Sequence, residues 1–429
     1  MTVLADLAAR ARRAARDADA ATRSLAALHV LDTLGCVAAG ATHPLASGLA
    51  AVAEVGGGGG LAVTGLPGRH SLRTAVLVEG TLAHLDEYDA FHPSAAVVPS
   101  AVTVPAALAV ADRERLPGRA VADAVIAGYE AVVEAGTRFG GPRLYERAWW
   151  PTALLGALGA AAATASLLAL DEERTTTALG IAAAGSGGLL GADVLGTGHY
   201  ALVGRAAADG VEAAYLARAG ATASGTVLDG PAAAALGAPP LPATDSARPH
   251  LDGCSFKAYP CARPLHAALD ALAALAGEGV PLGSARRFEI DVPGPMLRFV
   301  SDDREPPGPT EAAASAAFAV AAFLAGAADD VASYRGPLPP GAPEVVLRAA
   351  PDLDRHLPEH WSARVTVRLP GGGLVRKEVR DPVEPSRERI IAKVRRRLGP
   401  GASARIAPCL ALDEAPRASV LREPAESPY

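Results

Sequence analysis

At 429 residues the chain is too long for one ordinary hydrophobic core and suits two domains, or one large domain with an insertion. Half of it is hydrophobic and 20% charged, which excludes wholesale disorder. The net charge is −6 with no long basic stretch, so nucleic acid is not an expected partner.

Aromatics make up only 4% of the residues and alanine replaces them as core filler, which favours closely packed helices. The arginine runs near Arg10–Arg16 and Arg395–Arg397 read as solvated helix faces. The first stretch has no signal-peptide pattern, because Asp6, Asp17 and Asp19 interrupt it, and the expected compartment is the cytosol. A helix is predicted from Ala21 to Gly40 through Leu25, Leu28, Val30, Leu31 and Leu34. Gly56–Gly60 predicts a turn. The next helix, Ser71–Tyr88, ends in the cluster Asp86-Glu87-Tyr88-Asp89, and Pro93 of His92-Pro93-Ser94 forbids its continuation. Further helices are expected over Ser100–Ala111, Arg119–Phe139, Pro151–Leu170, Glu172–Leu190 and Arg205–Ala219, with a glycine-rich loop over Gly185–Gly198. Thr152–Leu170 is uncharged and long enough to span a membrane, but alanine, glycine and threonine gain little from lipid; it predicts a buried core helix, with no membrane as partner.

Composition changes after this. Pro231–Pro249 reads as a linker, followed by the polar loop Cys254–Leu265 and a helix over Pro264–Ala276 with Leu265, Leu269, Leu272 and Leu275 in one stripe. Arg287–Pro293, Ala363–Leu369 and Leu374–Val379 alternate as strands, the last two joined through Gly371–Gly373. Thr310–Gly326 predicts one long apolar helix and Ser386–Leu398 a last one. The expected architecture is mainly α: a large all-helical domain over 1–248, rejoined by 386–429, with a smaller α+β domain over 249–385 inserted near the C-terminus.

Three segments carry more polar functionality than their surroundings need. Asp86, Glu87, Asp89 and His92 could supply an acid and a base, or simply cap a helix end. Lys257 stands in a proline-punctuated loop of a chain with only three lysines (Lys257, Lys377 and Lys393), beside Tyr259, Cys261, Arg263 and His266. Lysine is a compact, titratable point charge, unlike arginine. Pro264 fits a first helical position, which places His266 in the first turn of its helix. Cys261 reads as a packed small residue. The third segment, Gly196-Thr197-Gly198-His199-Tyr200 with Gly204-Arg205-Ala206, has neither Walker nor Rossmann spacing and reads as a structural loop. Cys36, Cys254, Cys261 and Cys409 form no CxxC pair, and no HExxH occurs, so no metal site is signalled.

In order and spacing these segments resemble the MmgE/PrpD family. The resemblance runs through Gly80–His84, the acidic cluster, His92-Pro93-Ser94, Gly128-Tyr129-Glu130, Pro151-Thr152 with Gly156, Gly204–Ala207 with Gly210, Lys257–His266 and Thr310-Glu311-Ala312, about residues 24 to 398. It implies a helical domain and an α+β lid domain, a homodimer, and proton transfer without a cofactor, next to the carboxylates of a small-molecule substrate in a cleft between the domains. Glu87, Asp89, His92, Lys257 and His266 are the implied catalytic residues. Asp86, Phe91, Trp150, His199, Leu202, Tyr259 and Arg263 are the implied substrate-binding ones. The chain departs from the family pattern at Phe91 for a threonine, Trp150 and Leu202 for histidines, and His199 for a lysine. A pocket so altered is less cationic and more aromatic. Because unpaired buried carboxylates are costly, the expected substrate is less charged and more apolar than citrate-like acids, with natural-product metabolism as one setting for it. The alternatives are a cyclase that folds an apolar substrate and a binding protein without catalysis.

Overall fold

The computed structural model describes residues 1–191, 196–237, 240–244, 248–399 and 401–421. Two compact units emerge. The first comprises Met1–Leu85, Asp89–Ser255 and 387–421, the second Asp86–Tyr88 and Phe256–Ser386.

The first unit opens with α1 (Val3–Asp17), which the sequence reading had placed only as an arginine-rich face; Leu4, Leu7, Ala8 and Ala11 are buried, and Thr2 caps it by accepting from the Ala5 amide. It continues with α2 (Ala20–Gly40), α3 (Ala46–Val55), the antiparallel hairpin β1 (Gly58–Val63) and β2 (Leu66–His70), and α4 (Leu72–His84). The expected glycine turn is therefore half strand: Gly58–Gly60 belong to β1, and the chain reverses at Thr64-Gly65, where Gly65 takes φ +78°. Next come α5 (Pro99–Arg113), α6 (Gly118–Arg138), the single turn α7 (Arg143–Glu146), α8 (Pro151–Leu167), α9 (Glu172–Ala184), α10 (Tyr200–Arg218) and α11 (Pro231–Ala235). Residues 192–195 of the expected glycine-rich loop, and 238–239 and 245–247 of the expected linker, lie outside the described residues.

Nearly every side chain of α8 is buried, in contact with α5, α6, α9 and α10. No helix among the described residues is long and apolar enough to cross a membrane. Glycine permits the close crossings. A Cβ on Gly204 of α10 would overlap the carbonyl oxygen of Leu77 in α4, and one on Gly210 would overlap that of Ala157 in α8.

The second unit holds α12 (His266–Gly277) and a four-stranded sheet in the order β4-β3-β5-β6, formed by β3 (Arg287–Val292), β4 (Glu344–Ala349), β5 (Ala363–Arg368) and β6 (Leu374–Val379). β3 pairs parallel with β4 and antiparallel with β5. Phe288, Ile290 and Val292 alternate inward and share a core with Leu265, Leu269, Leu272 and Leu275. The single helix expected over Thr310–Gly326 is instead two, α13 (Pro309–Ala313) and α14 (Ala316–Leu324). Between them the backbone turns to Ser301: the Ser301 amide donates to Ala314 and the Ala316 amide to Ser301, and the buried Ser315 starts α14 as its cap.

The chain then returns to the first unit through α15 (Arg387–Leu398) and α16 (Ala402–Leu410). α15 packs on α2, where a Cβ on Gly35 would stand 2.9 Å from Val394 Cγ2, and buried Lys393 meets Asp32 at 2.7 Å.

Gly204→Val is expected to cost ~3 kcal/mol or more, since backbone cannot yield as a side chain can, and to lower the thermal unfolding midpoint sharply. Gly198→Ala, which meets open space, is expected to leave it nearly unchanged. Equal midpoints for the two variants would disprove this account of the α4–α10 crossing.

Candidate active site

α4 stops at His84, four residues short of expectation. Leu85 follows, and Glu87 takes φ +51°, a left-handed backbone that a helix cannot propagate. This reversal divides the acidic cluster. Asp86, Glu87 and Tyr88 join the second unit, while His84 and Asp89 stay in the first.

In the first unit, His84 Nδ1 lies 2.9 and 3.0 Å from the two carboxylate oxygens of Asp89. Both residues are buried. A carboxylate only accepts, so Nδ1 carries the proton and the ring is oriented by its partner. Trp150 stacks on His84 with centroids 5.6 Å apart, Tyr200 meets its edge at 5.1 Å, and His199 contacts both Trp150 and Tyr200, at 4.7 and 4.1 Å. The structure thus assembles Asp89, Trp150 and His199 around His84, which the sequence reading had not singled out. Leu202 is half-buried on α10. Phe91 is buried, and its backbone exchanges two hydrogen bonds with Ser255, of 2.9 and 2.8 Å.

His92 occupies a different corner of the first unit. Its backbone amide donates to Val97, and its Nδ1 accepts from the Ala95 amide at 3.2 Å, which places the ring proton on Nε2. Burial, reinforced by the neighbouring His250, pushes its pKa down to about 3, so the imidazole is neutral. The His250 ring lies edge-on at 6.2 Å. His250 Nε2 in turn meets Glu134 at 2.8 Å, and Glu134 also accepts from Arg138 Nε at 2.7 Å, from the Thr244 amide at 3.0 Å and from the Thr244 hydroxyl. Burial opposes the charge of Glu134, but these donors outweigh it and hold the carboxyl well below its usual range. With Nδ1 engaged, His92 offers a hydrogen-bond donor rather than a free basic nitrogen.

The second unit brings together the other predicted residues. Lys257 is 2% exposed, and its Nζ meets Glu87 Oε2 at 2.8 Å; the Glu87 side chain keeps 20% of its surface open. Asp86 receives both Nη2 contacts of Arg335 at 2.7 Å, with Nε at 3.2 Å. The Tyr88 hydroxyl donates to the carbonyls of Ala258 and Asp329. Tyr259 donates to Asp270 at 2.9 Å and lies edge-on to His266, whose Nε2 donates to the Cys261 carbonyl at 3.2 Å. Arg263 is buried; burial lowers its pKa, against the opposing fields of Glu384, Asp270 and Asp381. Burial pushes the Cys261 thiol up to about 12, so it is no nucleophile at neutral pH. Among the described residues no three His, Cys, Asp or Glu side chains converge so as to hold a metal ion.

Residues 3–236 match the MmgE/PrpD N-terminal domain, a segment that contains His84, Asp89, His92 and Trp150. The chain belongs to the MmgE/PrpD family. It is also 28% identical over 199 residues to a cis-aconitate decarboxylase-like protein of Aspergillus oryzae; the match covers 44% of this chain and 41% of that relative. The matched MmgE/PrpD domain ends before Lys257, so Lys257, Arg263 and His266 rest on their own motif and geometry.

His84, Asp270, Glu384 and Arg335 are residues that sequence reasoning did not assign to the site. For His84 a signal existed, since it closes the Gly80–His84 motif five residues before Asp89. Arg335 lies 249 positions from Asp86 and gave none.

The neutral state of His92 fixes a pH dependence. Its folded value of about 3 lies below the ordinary 6.5. Its contribution to stability is therefore complete above pH ~6.5 and is lost as pH falls towards 3. Glu134, also held low in the fold, acts in the same direction at acid pH. The unfolding free energy should decline from pH ~6.5 downward, with a shallower decline in His92→Gln; an identical slope in the variant would refute the neutral assignment.

Proposed function

We propose that this MmgE/PrpD protein is a lyase or isomerase that moves a proton next to a carboxylate or carbonyl group, with Glu87 and Lys257 as its working pair. The observation that carries the reading is their geometry: a buried ammonium 2.8 Å from a carboxylate that is itself partly open and held on a left-handed backbone. Strain of this kind persists where surrounding contacts impose it, often at functional sites. In the proposed step Glu87 takes the proton from carbon, and the electron pair moves onto the adjacent oxygen as an enolate. The Lys257 ammonium stabilises that charge in a low-dielectric setting. Return of the proton to carbon completes an isomerisation, and departure of a β-substituent with the electron pair completes an elimination. Family membership and the decarboxylase-like relative support the lyase side of this reading. No cofactor is part of the step.

The substrate is proposed to be less anionic than a tricarboxylate. The buried and half-buried cations already face protein carboxylates: Lys257 faces Glu87, Arg335 faces Asp86, and Arg263 sits in the field of Glu384, Asp270 and Asp381. Little uncompensated positive charge is left for several substrate carboxylates. A setting in natural-product metabolism accords with such a substrate.

The aromatic group of Trp150, His199, Tyr200 and His84 favours a second reading, in which the protein folds an apolar substrate for cyclisation or rearrangement. One experiment separates the two. Purified protein in D2O is given citrate-like acids and an extract of its source cells, and products are followed by mass. Proton transfer predicts deuterium uptake, or loss of water, with Glu87→Gln and Lys257→Met lowering the rate ~10²–10⁴-fold. An isomer of equal mass without deuterium, formed undiminished by those variants but lost in Trp150→Ala, establishes the cyclase. Turnover of 2-methylcitrate at ordinary enzymatic rates contradicts the proposed substrate class.

A further inference from the structure

We propose that the first unit carries a separate site for a small molecule bearing a diphosphate, in the hollow beside the β1–β2 hairpin. The hollow has a volume of about 570 Å³, within the range of small-molecule pockets. Arg69, Arg113, Arg115 and Arg417 line it against a single carboxylate, Asp112. This is a concentration of positive charge on a chain whose net charge is −6. Several arginines elsewhere are matched, Arg335 by Asp86, Arg23 by Asp123, and Arg364 by Asp291, Asp352 and Glu378. Around this hollow such matching is sparse. Arg115 and Arg417 have no ion-pair partner among the described residues. The hydrogen bond of Arg69 goes to the Gly60 carbonyl, and Arg113 comes no closer than 3.9 Å to Glu114, in a solvent-exposed pair. Guanidinium groups held around one concavity repel each other, and an anion relieves the repulsion.

The wall of the hollow suits a phosphate. Gly58 and Gly60 have nothing within 4 Å of where a Cβ would stand, so packing does not require glycine there; its effect is to leave bare backbone along the hollow. Leu72, the first residue of the 13-residue α4, and its cap Ser71 also line it, which adds the positive end of a helix dipole. Arg115 adopts φ +57°, an unfavourable backbone for an arginine, two residues after the end of α5. Forked guanidinium donors match phosphoryl oxygens, and two phosphoryl groups supply the charge that four arginines and one aspartate leave unbalanced.

The test is calorimetric titration of the intact protein with inorganic pyrophosphate, ADP and citrate in parallel. Saturable binding of pyrophosphate and ADP is expected, at a single site and more tightly than citrate. Arg115→Glu with Arg417→Glu should weaken it by roughly tenfold or more, without moving the thermal midpoint, because both side chains are exposed. ADP binding tighter than pyrophosphate identifies a nucleotide site; equal affinities identify the diphosphate alone as the recognised group. Absence of binding at millimolar concentration, equal affinity for citrate, or affinity unchanged in the double variant would each overturn the proposal.

Discussion

An ammonium group removed from water must find a counter-charge, and Lys257 finds Glu87. Much of the local architecture follows from that pairing. To reach Lys257, Glu87 departs from the helical backbone into the left-handed region, and α4 is over by His84. Asp86 and Tyr88 go with it, one to the guanidinium of Arg335 and the other to the carbonyls of Ala258 and Asp329. Asp89, two residues on, is left to pair with His84. A cluster that reads in sequence as one acidic patch is therefore one ion pair, one histidine–carboxylate hydrogen bond and a bidentate clamp, each with its own environment.

Around these pairs the first unit is built from residues too small to interfere. Gly80, Gly128, Gly156, Gly204 and Gly210 all belong to motifs of the MmgE/PrpD resemblance, and each meets a neighbouring helix where a Cβ would be crowded. Their role is close approach of backbones. Gly204 shows the distinction within a single motif: it is pressed against α4 while the adjacent Arg205 is exposed. The shared order of motifs along the chain is in part a record of helix crossings, which fix the positions from which His84, Trp150 and Tyr200 project.

What the sequence disclosed and what it hid divide along the range of the interactions. Most of the longer helices were legible from their apolar periods, as were β3, β5 and β6, whose alternation is plain; α1 was legible only as an arginine-rich face, and α3 not at all. β4 was not, because only Val345 of its six residues is buried and the strand is an edge whose partner is β3, more than fifty positions earlier. The break between α13 and α14 depends on Ser301, and nothing within the segment Thr310–Gly326 announces it. The candidate residues themselves were found by type and motif, but their partners were not: Lys257 and Glu87 stand 170 positions apart, and Asp86 and Arg335 249. Side-chain chemistry is local information, whereas the pairing that tunes it is a property of the fold.

The scarcity of lysine illustrates how the two kinds of information combine. A lysine kept in an arginine-rich chain was read as a sign of chemistry, yet the three lysines have three different settings. Lys377 is an exposed partner of Glu278. Lys393 is buried against Asp32, which is itself sealed at 0% exposure, so the pair ties α15 to α2 and offers nothing to a ligand. Lys257 is equally buried, but its carboxylate partner is open. In both buried cases a slender stem delivers one point charge to one carboxylate, where a guanidinium fork would demand several acceptors. Burial and pairing explain why lysine is used at both positions; the accessibility of the partner separates a structural pair from one able to exchange a proton.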